Sequence, residues 1–370
     1  MAIASDVCIR GAGIVGRTLA MLLARDRLRV ALVSDPLVPT DGMSDVRAYA
    51  LNSASRELLE HLRAWPDPMH ATPVLAMEVH GDEGGRVHFN AQAQGAPALA
   101  WIVDVQALQE RLGEALRYQP LVEWVQAPQS APLTVVCEGK ASATRAEFGV
   151  QYQVVPYPQR AIAARLHCEK PHGQIARQWF ADGEILAFLP LGGTDGAQQG
   201  NSVAIVWSVD ERRAPELLAL DSSAFEALLE AASHHELGKL TLASERASWP
   251  LQLARADRWC GPGWALAGDA AHTVHPLAGQ GLNLGLADAK ELAQVLHQRE
   301  EWRSVGDVKL LRRFERARKA DVLALGATTD SLQQLFAQTA EPWTTLRNWG
   351  MKGFDRSGPF KHWVARKAAG

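Results

Sequence analysis

The sequence predicts a mixed α/β protein that contains a Rossmann-like domain, and two stretches carry that prediction. The first is a short strand candidate at 6–10 that leads into a Gly-x-Gly-x-x-Gly loop at 11–16, followed by a helical pattern and an apolar run at 30–33. The second is an apolar run at 264–267 that ends at a Gly-Asp pair, ahead of a glycine-rich opening to an amphipathic helix. A strand, a glycine turn, a helix and a strand in that order are typical of a dinucleotide-binding domain.

Length and composition narrow the class of protein. A chain of 370 residues with 47% hydrophobic and 21% charged residues is long enough for about two globular domains. Its formal net charge of -3 gives no electrostatic reason to expect nucleic acid as a partner. The four cysteines form no Cys-x-x-Cys pair, so we predict no metal site and a reducing cytoplasm. No apolar run approaches the roughly 20 residues that span a bilayer, and we expect neither an export signal nor a membrane span.

The first glycine loop has the residue types that hold a pyrophosphate. Gly11 makes the turn, and Gly13 lets the backbone approach the phosphates. Gly16 lets the helix pack on the strand. The predicted phosphate-binding residues are Gly11, Ala12, Gly13, Ile14, Val15 and Gly16.

A ribose-binding acid is expected where the second apolar run ends. That place is Ser34, with Asp35 one residue later. We predict that Asp35 reaches the ribose hydroxyls. The alternative is a ribose contact that is weaker than usual.

The second stretch has two halves that each favour a ligand. Asp269 follows a buried apolar run, where its carboxylate would face a polar group. Gly279 and Gly281 precede a helix, so backbone N–H groups at its positive dipole end would face an electron-rich group. For either half alone, a turn that uses glycine only for packing is an equal alternative. The closeness of the two halves in sequence favours the ligand site.

Four ordered motifs together resemble a known family. Residues 268–289, GDAAHTVHPLAGQGLNLGLADA, resemble the second flavin motif of the FAD-dependent aromatic hydroxylases with the p-hydroxybenzoate-hydroxylase fold. The resemblance is closest to the ubiquinone-biosynthesis branch. Residues 45–55 resemble that family's D-x-R-x-x-A-L-x-x-x-S segment, and 137–145 its A-D-G-x-x-S-x-x-R motif, with Cys137 and Glu138 in place of Ala and Asp. The glycine loop at 11–16 completes the set.

The resemblance implies a Rossmann-like FAD domain interleaved with a β-sheet substrate domain and closed by C-terminal helices. The implied FAD domain is discontinuous and comprises 1–74, 101–147 and 258–300. The implied substrate domain comprises 75–100 and 148–257, and a C-terminal helical region comprises 301–370. The stretch at 119–132 is short for the family, so we predict a trimmed strand meander there.

The resemblance also implies the reaction. FAD would be the cofactor, with NAD(P)H and O2 as co-substrates, and a flavin C4a-hydroperoxide would hydroxylate an aromatic ring. A prenylated phenol of ubiquinone biosynthesis is the implied substrate. Two alternatives stay open: a flavin-dependent reductase that inserts no oxygen, and a flavin-binding scaffold of a quinone-biosynthesis assembly.

The resemblance further assigns roles to single residues. Arg47 would lie against the flavin and Pro276 would line the space near flavin C4a, and these two are the predicted catalytic residues. Asp269 would accept hydrogen bonds from the ribityl chain, and the backbone from Gly281 to Asn283 would face the flavin pyrimidine. Outside the phosphate loop, the predicted cofactor-binding residues are Ser34, Asp35, Arg47, Gln106, Gly268, Asp269, Gly279, Gly281, Leu282 and Asn283.

Four further residues invite a role in the site. We interpret His272 and His275 as structural, because loop histidines beside a cofactor are more often structural than catalytic. In the implied substrate sheet, Phe188 and Trp207 are the predicted pocket-facing aromatics, beside an apolar ring pocket.

The C-terminal third predicts helices and a basic, aromatic tail. The mixed-charge face at 312–319 is typical of a solvated helix surface. The tail at 346–367 mixes tryptophan and phenylalanine with lysine and arginine. Such a tail could contact a membrane surface or a protein partner. Contact with a membrane surface would place the protein at the inner face of the membrane. The alternative is a helix packed on its own domain.

Overall fold

The computed structural model describes residues 5–34, 45–81, 85–192, 200–274 and 280–337. Eight α-helices occur in these ranges, and together with three β-sheets they confirm the predicted mixed α/β class. The helices are α1 Ile14–Arg25, α2 Ser53–His61, α3 Val105–Arg117, α4 Thr144–Glu147, α5 Ala214–Ala219, α6 Ser222–Ala232, α7 Gln280–His297 and α8 Val308–Ala337.

The first sheet is a six-stranded Rossmann-like layer. Its strands, in spatial order, are β16 Cys260–Gly261, β17 Trp264–Leu266, β9 Leu133–Val136, β1 Val7–Arg10, β2 Val30–Val33 and β8 Val122–Val125. All neighbours pair in parallel except β16 and β17. Parallel strands place their carboxyl ends at one edge, so the residues after β1, β9 and β17 meet there.

The second sheet has nine strands, and its neighbours are antiparallel except for one parallel pair, β5 Ala76–His80 and β11 Ile175–Ala181. In spatial order its strands are β18 His272–Thr273, β15 Ala247–Ala256, β10 Tyr152–Cys168, β13 Ser202–Asp210, β12 Glu184–Leu191, β11 Ile175–Ala181, β5 Ala76–His80 and β6 Arg86–Asn90. The ninth strand, β14 Leu240–Leu242, pairs with β10. Alternate side chains of this sheet point to opposite faces.

A third, three-stranded sheet joins the two larger ones. Its strands are β3 Ala48–Leu51, β7 Ala100–Asp104 and β4 Ala71–Val74, with β7 in the centre. Buried Ile102 and Val74 of this sheet pack with Ala204 of the large sheet. Buried Leu51 and Val103 belong instead to the core around α1 and α7.

The structure contradicts the prediction that Phe188 and Trp207 face a pocket. Both side chains are buried in the core beneath α6, where the Trp207 ring lies 6.1 Å from the Phe225 ring. They lie on the opposite face of the sheet from Ala187, which lines a cavity. The residue pattern predicts the alternation of the strand but not which face meets the helices.

The prediction of a solvated charged face on α8 is correct for some residues and wrong for one. Arg312, Arg313 and Arg316 are exposed, but Arg318 is only 5% exposed. Arg318 pairs with Asp288 on α7 at 2.8 Å. Helical spacing alone could not show that a partner carboxylate lies buried on the facing helix.

The region at 119–132, where we predicted a trimmed meander, contains one short strand among its described residues, β8, which pairs in parallel with β2. The predicted tail at 346–367 lies outside the described residues. Within the described part of the chain, no helix combines the length and apolar character needed to cross a bilayer.

Candidate active site

The glycine loop between β1 and α1 is closed on one side and open on the other. A Cβ atom on Gly11 would lie 2.5 Å from the carbonyl oxygen of Cys137, and one on Gly16 would overlap the carbonyl oxygen of Gly11. A Cβ atom on Gly13 would have no neighbour within 4 Å. Gly11 and Gly16 therefore serve close packing, and the open space lies at Gly13.

The N-terminus of α1 faces this open space without a side-chain cap. Uncapped backbone N–H groups at a positive helix end suit a phosphate group. Arg17 fixes the loop, since its Nε donates to the Ala12 carbonyl at 2.7 Å and its Nη1 donates to the Gln109 carbonyl at 2.6 Å. The loop, α1 and α3 therefore hold one another in place.

Three residues predicted to bind the cofactor lie away from this loop in sequence. Ser34 follows β2, and its backbone N–H donates to the Val125 carbonyl at 3.1 Å. Asp35 lies outside the described residues. Gln106 lies on the exposed side of α3, where its amide donates to Glu110 at 3.0 Å. Ribose binding by Asp35 and cofactor binding by Ser34 and Gln106 stay predictions.

The two predicted flavin motifs touch one another through Val15. Gly268 has a left-handed φ of 63°, and a Cβ atom there would lie 3.3 Å from Val15 Cγ2. A Cβ atom on Gly285 would lie 2.7 Å from the same methyl group. The Gly-Asp turn and α7 therefore pack directly against the start of α1.

The backbone of the Gly-Asp turn is held by two side chains. The Tyr152 hydroxyl donates to the Asp269 carbonyl at 2.9 Å, and Arg145 Nη1 donates to the Ala270 carbonyl at 3.2 Å. The Arg145 guanidinium also lies over the Tyr152 ring, 3.6 Å from its centre. Burial raises the pKa of the Asp269 carboxyl, which the charges of His272, Lys140 and Arg47 partly offset. A hydrogen-bond donor would stabilise the ionised form of a carboxyl group in such buried surroundings.

His272 is structural in its contacts, as we interpreted it. Its ring is 1% exposed, stacks on Trp259 with 4.8 Å between ring centres, and lies 2.7 Å from a carboxylate oxygen of Asp288. Asp288 also accepts from the Gly268 N–H at 2.9 Å. His275 lies outside the described residues.

At the start of α7, the backbone and the side chain of Asn283 have different surroundings. The side chain is 5% exposed and accepts from the Ser55 hydroxyl at 2.7 Å and from the Asn52 N–H at 3.0 Å. Its amide donates to the Ala50 carbonyl at 2.8 Å. A Cβ atom on Gly281 would have no neighbour within 4 Å, so open space lies beside the first turn of α7.

Three other predicted residues are near these in sequence. Leu282 is partly buried and packs against the core around α1 and α7. Gly279 and Pro276 lie outside the described residues.

Arg47 lies just before β3 and is one of the residues that line a cavity. Its Nε donates to Asp45 at 2.8 Å, and its side chain is 45% exposed. The hydrogen bond to Asp45 raises the pKa of the Arg47 guanidinium, with Tyr49 and Asp269 adding to the effect. The positive charge of Arg47 therefore interacts with the Asp269 carboxyl of the Gly-Asp turn.

Glu138 replaces the family's aspartate and is fully engaged within its own loop. Its two carboxylate oxygens accept from the Ser142 and Thr144 hydroxyls, each at 2.7 Å. Arg10 Nε lies 3.4 Å away. The longer side chain thus keeps the loop after β9 folded.

The cavity has a volume of about 340 Å³ and lies between β3 and the large sheet. Eight alanines contribute to its wall: Ala48, Ala50, Ala96, Ala98, Ala100, Ala163, Ala187 and Ala204. Larger apolar contributions come from Met77, Phe89 and Leu189. Among the described residues that line it there is no carboxylate and no imidazole, and the polar side chains are amides, hydroxyls, the Trp249 indole and Arg47. Gln280, the first residue of α7, joins the cavity to the candidate flavin site.

Comparison with known proteins agrees with this geometry. The family model described as an FAD binding domain matches residues 125–325. The ubiquinone hydroxylase UbiL of Rhodospirillum rubrum is 31% identical, over 99% of this chain and 90% of the relative. The chain belongs to this family of FAD-dependent hydroxylases. The 3-demethoxyubiquinol 3-hydroxylase of Escherichia coli is 29% identical, over 99% of this chain and 98% of the relative.

Solved structures show the same fold. PqsL of Pseudomonas aeruginosa in complex with 2-aminobenzoylacetate matches with a TM-score of 0.76 and 22% identity, over 91% of this chain and 97% of that chain. A single-substitution variant of Klebsiella pneumoniae HpxO complexed with FAD matches with a TM-score of 0.76 and 15% identity, over 99% of this chain and 98% of that chain.

As in its family, the chain binds FAD, and the described residues fit that cofactor. The open space at Gly13, the uncapped end of α1, the buried carboxyl of Asp269 and the open first turn of α7 all belong to elements that pack on one another. Sequence reasoning missed the groups that hold these elements in place, namely Tyr152, Asp288 and the Asn283 side chain. One signal was present: Asp288 interrupts the apolar face of α7, where an acid needs a buried partner.

Proposed function

We propose that this chain is an FAD-dependent monooxygenase of ubiquinone biosynthesis that uses O2 and NAD(P)H. Its substrate would be a phenol or quinol ring that carries a prenyl tail. The names of the two ubiquinone hydroxylase relatives support the pathway. The observation that carries the substrate class is the alanine-rich cavity of about 340 Å³ beside Gln280 and Arg47.

The small side chains favour a flat ring with an apolar substituent. Alanine methyl groups leave width for a ring, and the apolar wall compensates the desolvation of a hydrocarbon chain. Arg47 and Tyr49 are the ionisable groups among the described lining residues, and burial raises the pKa of the Tyr49 phenol. These lining residues therefore include no strong base. The cavity selects and orients a ring that is already electron-rich.

The chain's own residues would bind and orient the cofactor. We assign the pyrophosphate to the loop around Gly13, the ribityl chain to Asp269, and the flavin pyrimidine to the backbone from Gly281 to Asn283. Arg47 would lie against the flavin ring. Bound FAD supplies the electron transfer and the activation of O2, and the apolar cavity excludes water from the reacting ring. We assign Pro276 the wall beside the reacting carbon of the flavin, as the motif implies.

One experiment separates this proposal from its alternatives. Purified holoprotein is mixed with NAD(P)H, O2 and a prenylated phenol, and hydroxylated product and H2O2 are measured. Hydroxylated product that depends on O2 supports the monooxygenase. NAD(P)H oxidation that persists without O2 supports a reductase. Bound FAD without turnover supports a scaffold in a quinone-biosynthesis assembly.

We also infer a cytoplasmic protein that meets the inner membrane surface or a protein partner through its tail. The mixture of aromatic and basic residues at 346–367 supports this inference, as does a prenylated substrate that resides in lipid. Loss of vesicle binding on removal of 346–370 would support the membrane surface. The domain boundaries implied by the family motifs stay part of the proposal.

A further inference from the structure

One buried carboxylate joins three elements behind the cofactor turn. Asp288 on α7 has no exposed surface. Its Oδ2 accepts from the Gly268 N–H and lies 2.7 Å from His272 Nε2. Its Oδ1 accepts from Arg318 Nε on α8 at 2.8 Å. The turn, the edge strand β18 and α8 therefore meet at one side chain.

Helix α8 is also linked to His272 through Trp259. Glu315 Oε1 accepts from the Trp259 N–H at 2.9 Å, and the Trp259 ring stacks on His272. The ring of Phe314, which is fully buried, lies 6.5 Å from the Trp259 ring. Side chains of α8 thus contact both neighbours of His272, namely Asp288 and Trp259, although α8 lies beyond the second flavin motif in sequence.

The buried ion pair between Asp288 and Arg318 is not explained by its contribution to stability alone. Taking two charges out of water costs roughly as much as their attraction returns, so a buried pair alone is weak support for a fold. Burial raises the pKa of Asp288, but attraction to His272 and Arg318 outweighs it and the pKa is lowered overall. The ionised carboxylate holds the N–H of Gly268, which has a left-handed φ of 63° and directly precedes Asp269.

We propose that Asp288 and Arg318 are positioning residues that set the affinity for FAD by holding the Gly268–Asp269 turn. They act through the turn and not by contact with the cofactor. The proposal rests on the placement of Asp269 against FAD in the proposed function. A wrongly oriented turn would leave the Asp269 carboxyl buried but unable to meet its hydrogen-bond donor.

A double-mutant cycle tests the route of action. The full chain is stripped of FAD, and the FAD Kd of the wild type, Asp288→Asn, Asp269→Ala and the double variant is measured by flavin fluorescence. We expect Asp288→Asn to raise Kd about tenfold when Asp269 is present and less than about twofold when it is absent, because the two act on one contact. Equal factors in both backgrounds would overturn the proposal.

Variants of Arg318 separate positioning from stability. Arg318→Met is expected to raise the FAD Kd about tenfold and Arg318→Lys to restore most of the affinity, because lysine keeps a positive charge beside the Asp288 carboxylate. Arg316→Met is the matched control, since Arg316 is exposed on the same helix. A lower thermal midpoint for Arg318→Met with unchanged Kd would show a merely structural pair and overturn the proposal.

The two proposals fail in different ways. If Asp269→Ala leaves the FAD Kd unchanged, the proposed cofactor site is wrong. If Asp269→Ala weakens FAD but Asp288→Asn does so equally in both backgrounds, only the positioning role is wrong. Asp288→Asn keeps the side-chain volume, and the thermal midpoint of each apoprotein verifies that it is folded during the titration.

Discussion

Asn283 accepts a hydrogen bond from the Ser55 hydroxyl at 2.7 Å, across 228 residues of sequence. The same oxygen accepts from the Asn52 N–H, and Asn52 in turn caps α2 through the Ser55 N–H. One amide therefore fastens the first turn of α7 to the first turn of α2. The backbone that we assign to the flavin pyrimidine is held from behind by this contact.

Asn283→Ala tests that fastening. The change leaves buried donors near α2 and the Ala50 carbonyl without a partner, so we expect the free energy of unfolding to fall by about 1–3 kcal/mol. Urea unfolding of the apoprotein measures it. Asn90→Ala is the control, because Asn90 accepts a 3.3 Å bond on the surface. Equal losses for both variants would contradict the structural role of Asn283.

Gly16→Ala should affect the stability of the apoprotein, whereas Gly13→Ala should affect the affinity for FAD. A methyl group on Gly16 would overlap the Gly11 carbonyl, so we expect a lower thermal midpoint of the apoprotein. A methyl group on Gly13 would point into the open space that we assign to the pyrophosphate. We expect an apoprotein of normal thermal midpoint with an FAD Kd raised roughly tenfold or more, as fits the loss of close phosphate contact. Unchanged FAD affinity in Gly13→Ala would contradict the assignment.

The cavity wall should control substrate affinity. Ala187→Leu fills part of the cavity, and we expect KM for the prenylated phenol to rise roughly tenfold with unchanged FAD binding. Phe188→Leu is the matched control, because Phe188 points to the opposite face of the same strand. It should lower the free energy of unfolding on the order of 1 kcal/mol and leave KM unchanged. Steady-state kinetics measures KM for both variants. A change of KM in the Phe188 variant alone would contradict the cavity assignment.

The apoprotein should gain stability when Asp269 loses its charge. Because burial raises the pKa of Asp269, the folded state holds its proton more tightly than the unfolded state, whose pKa is near 3.8. The stability that this group contributes falls as pH rises from 3.8 through the raised pKa. We therefore expect Asp269→Asn to raise the thermal midpoint of the apoprotein at neutral pH, to have no effect below pH 3.8, and to weaken FAD binding. A lower midpoint at neutral pH would contradict this reasoning.

Local patterns predicted the elements of the fold well. The strand at 30–33 has the predicted bounds and a helix follows the glycine loop as predicted, because glycine and the spacing of apolar residues determine these elements locally. The family motifs predicted FAD, and comparison with known proteins confirms it.

Contacts between distant segments could not be predicted in the same way. Phe188 was expected in the pocket because an aromatic residue suits a ring, yet which face of β12 meets α6 depends on the whole sheet. The burial of Arg318 depends on Asp288, which lies 30 residues away on another helix. No local pattern reports that Tyr152 reaches the Asp269 carbonyl, since 117 residues separate them.

The short strand β18 pairs with β15, so Thr273 lies opposite Ala254 and His272 opposite Arg255. Residues of the second flavin motif thus form the edge strand of the sheet whose other strands line the cavity. A displacement of that sheet would therefore also move the Gly-Asp turn, because the turn directly precedes β18. We therefore expect substitutions along the cavity wall to change substrate preference while the strand framework and the Gly-Asp turn stay in place.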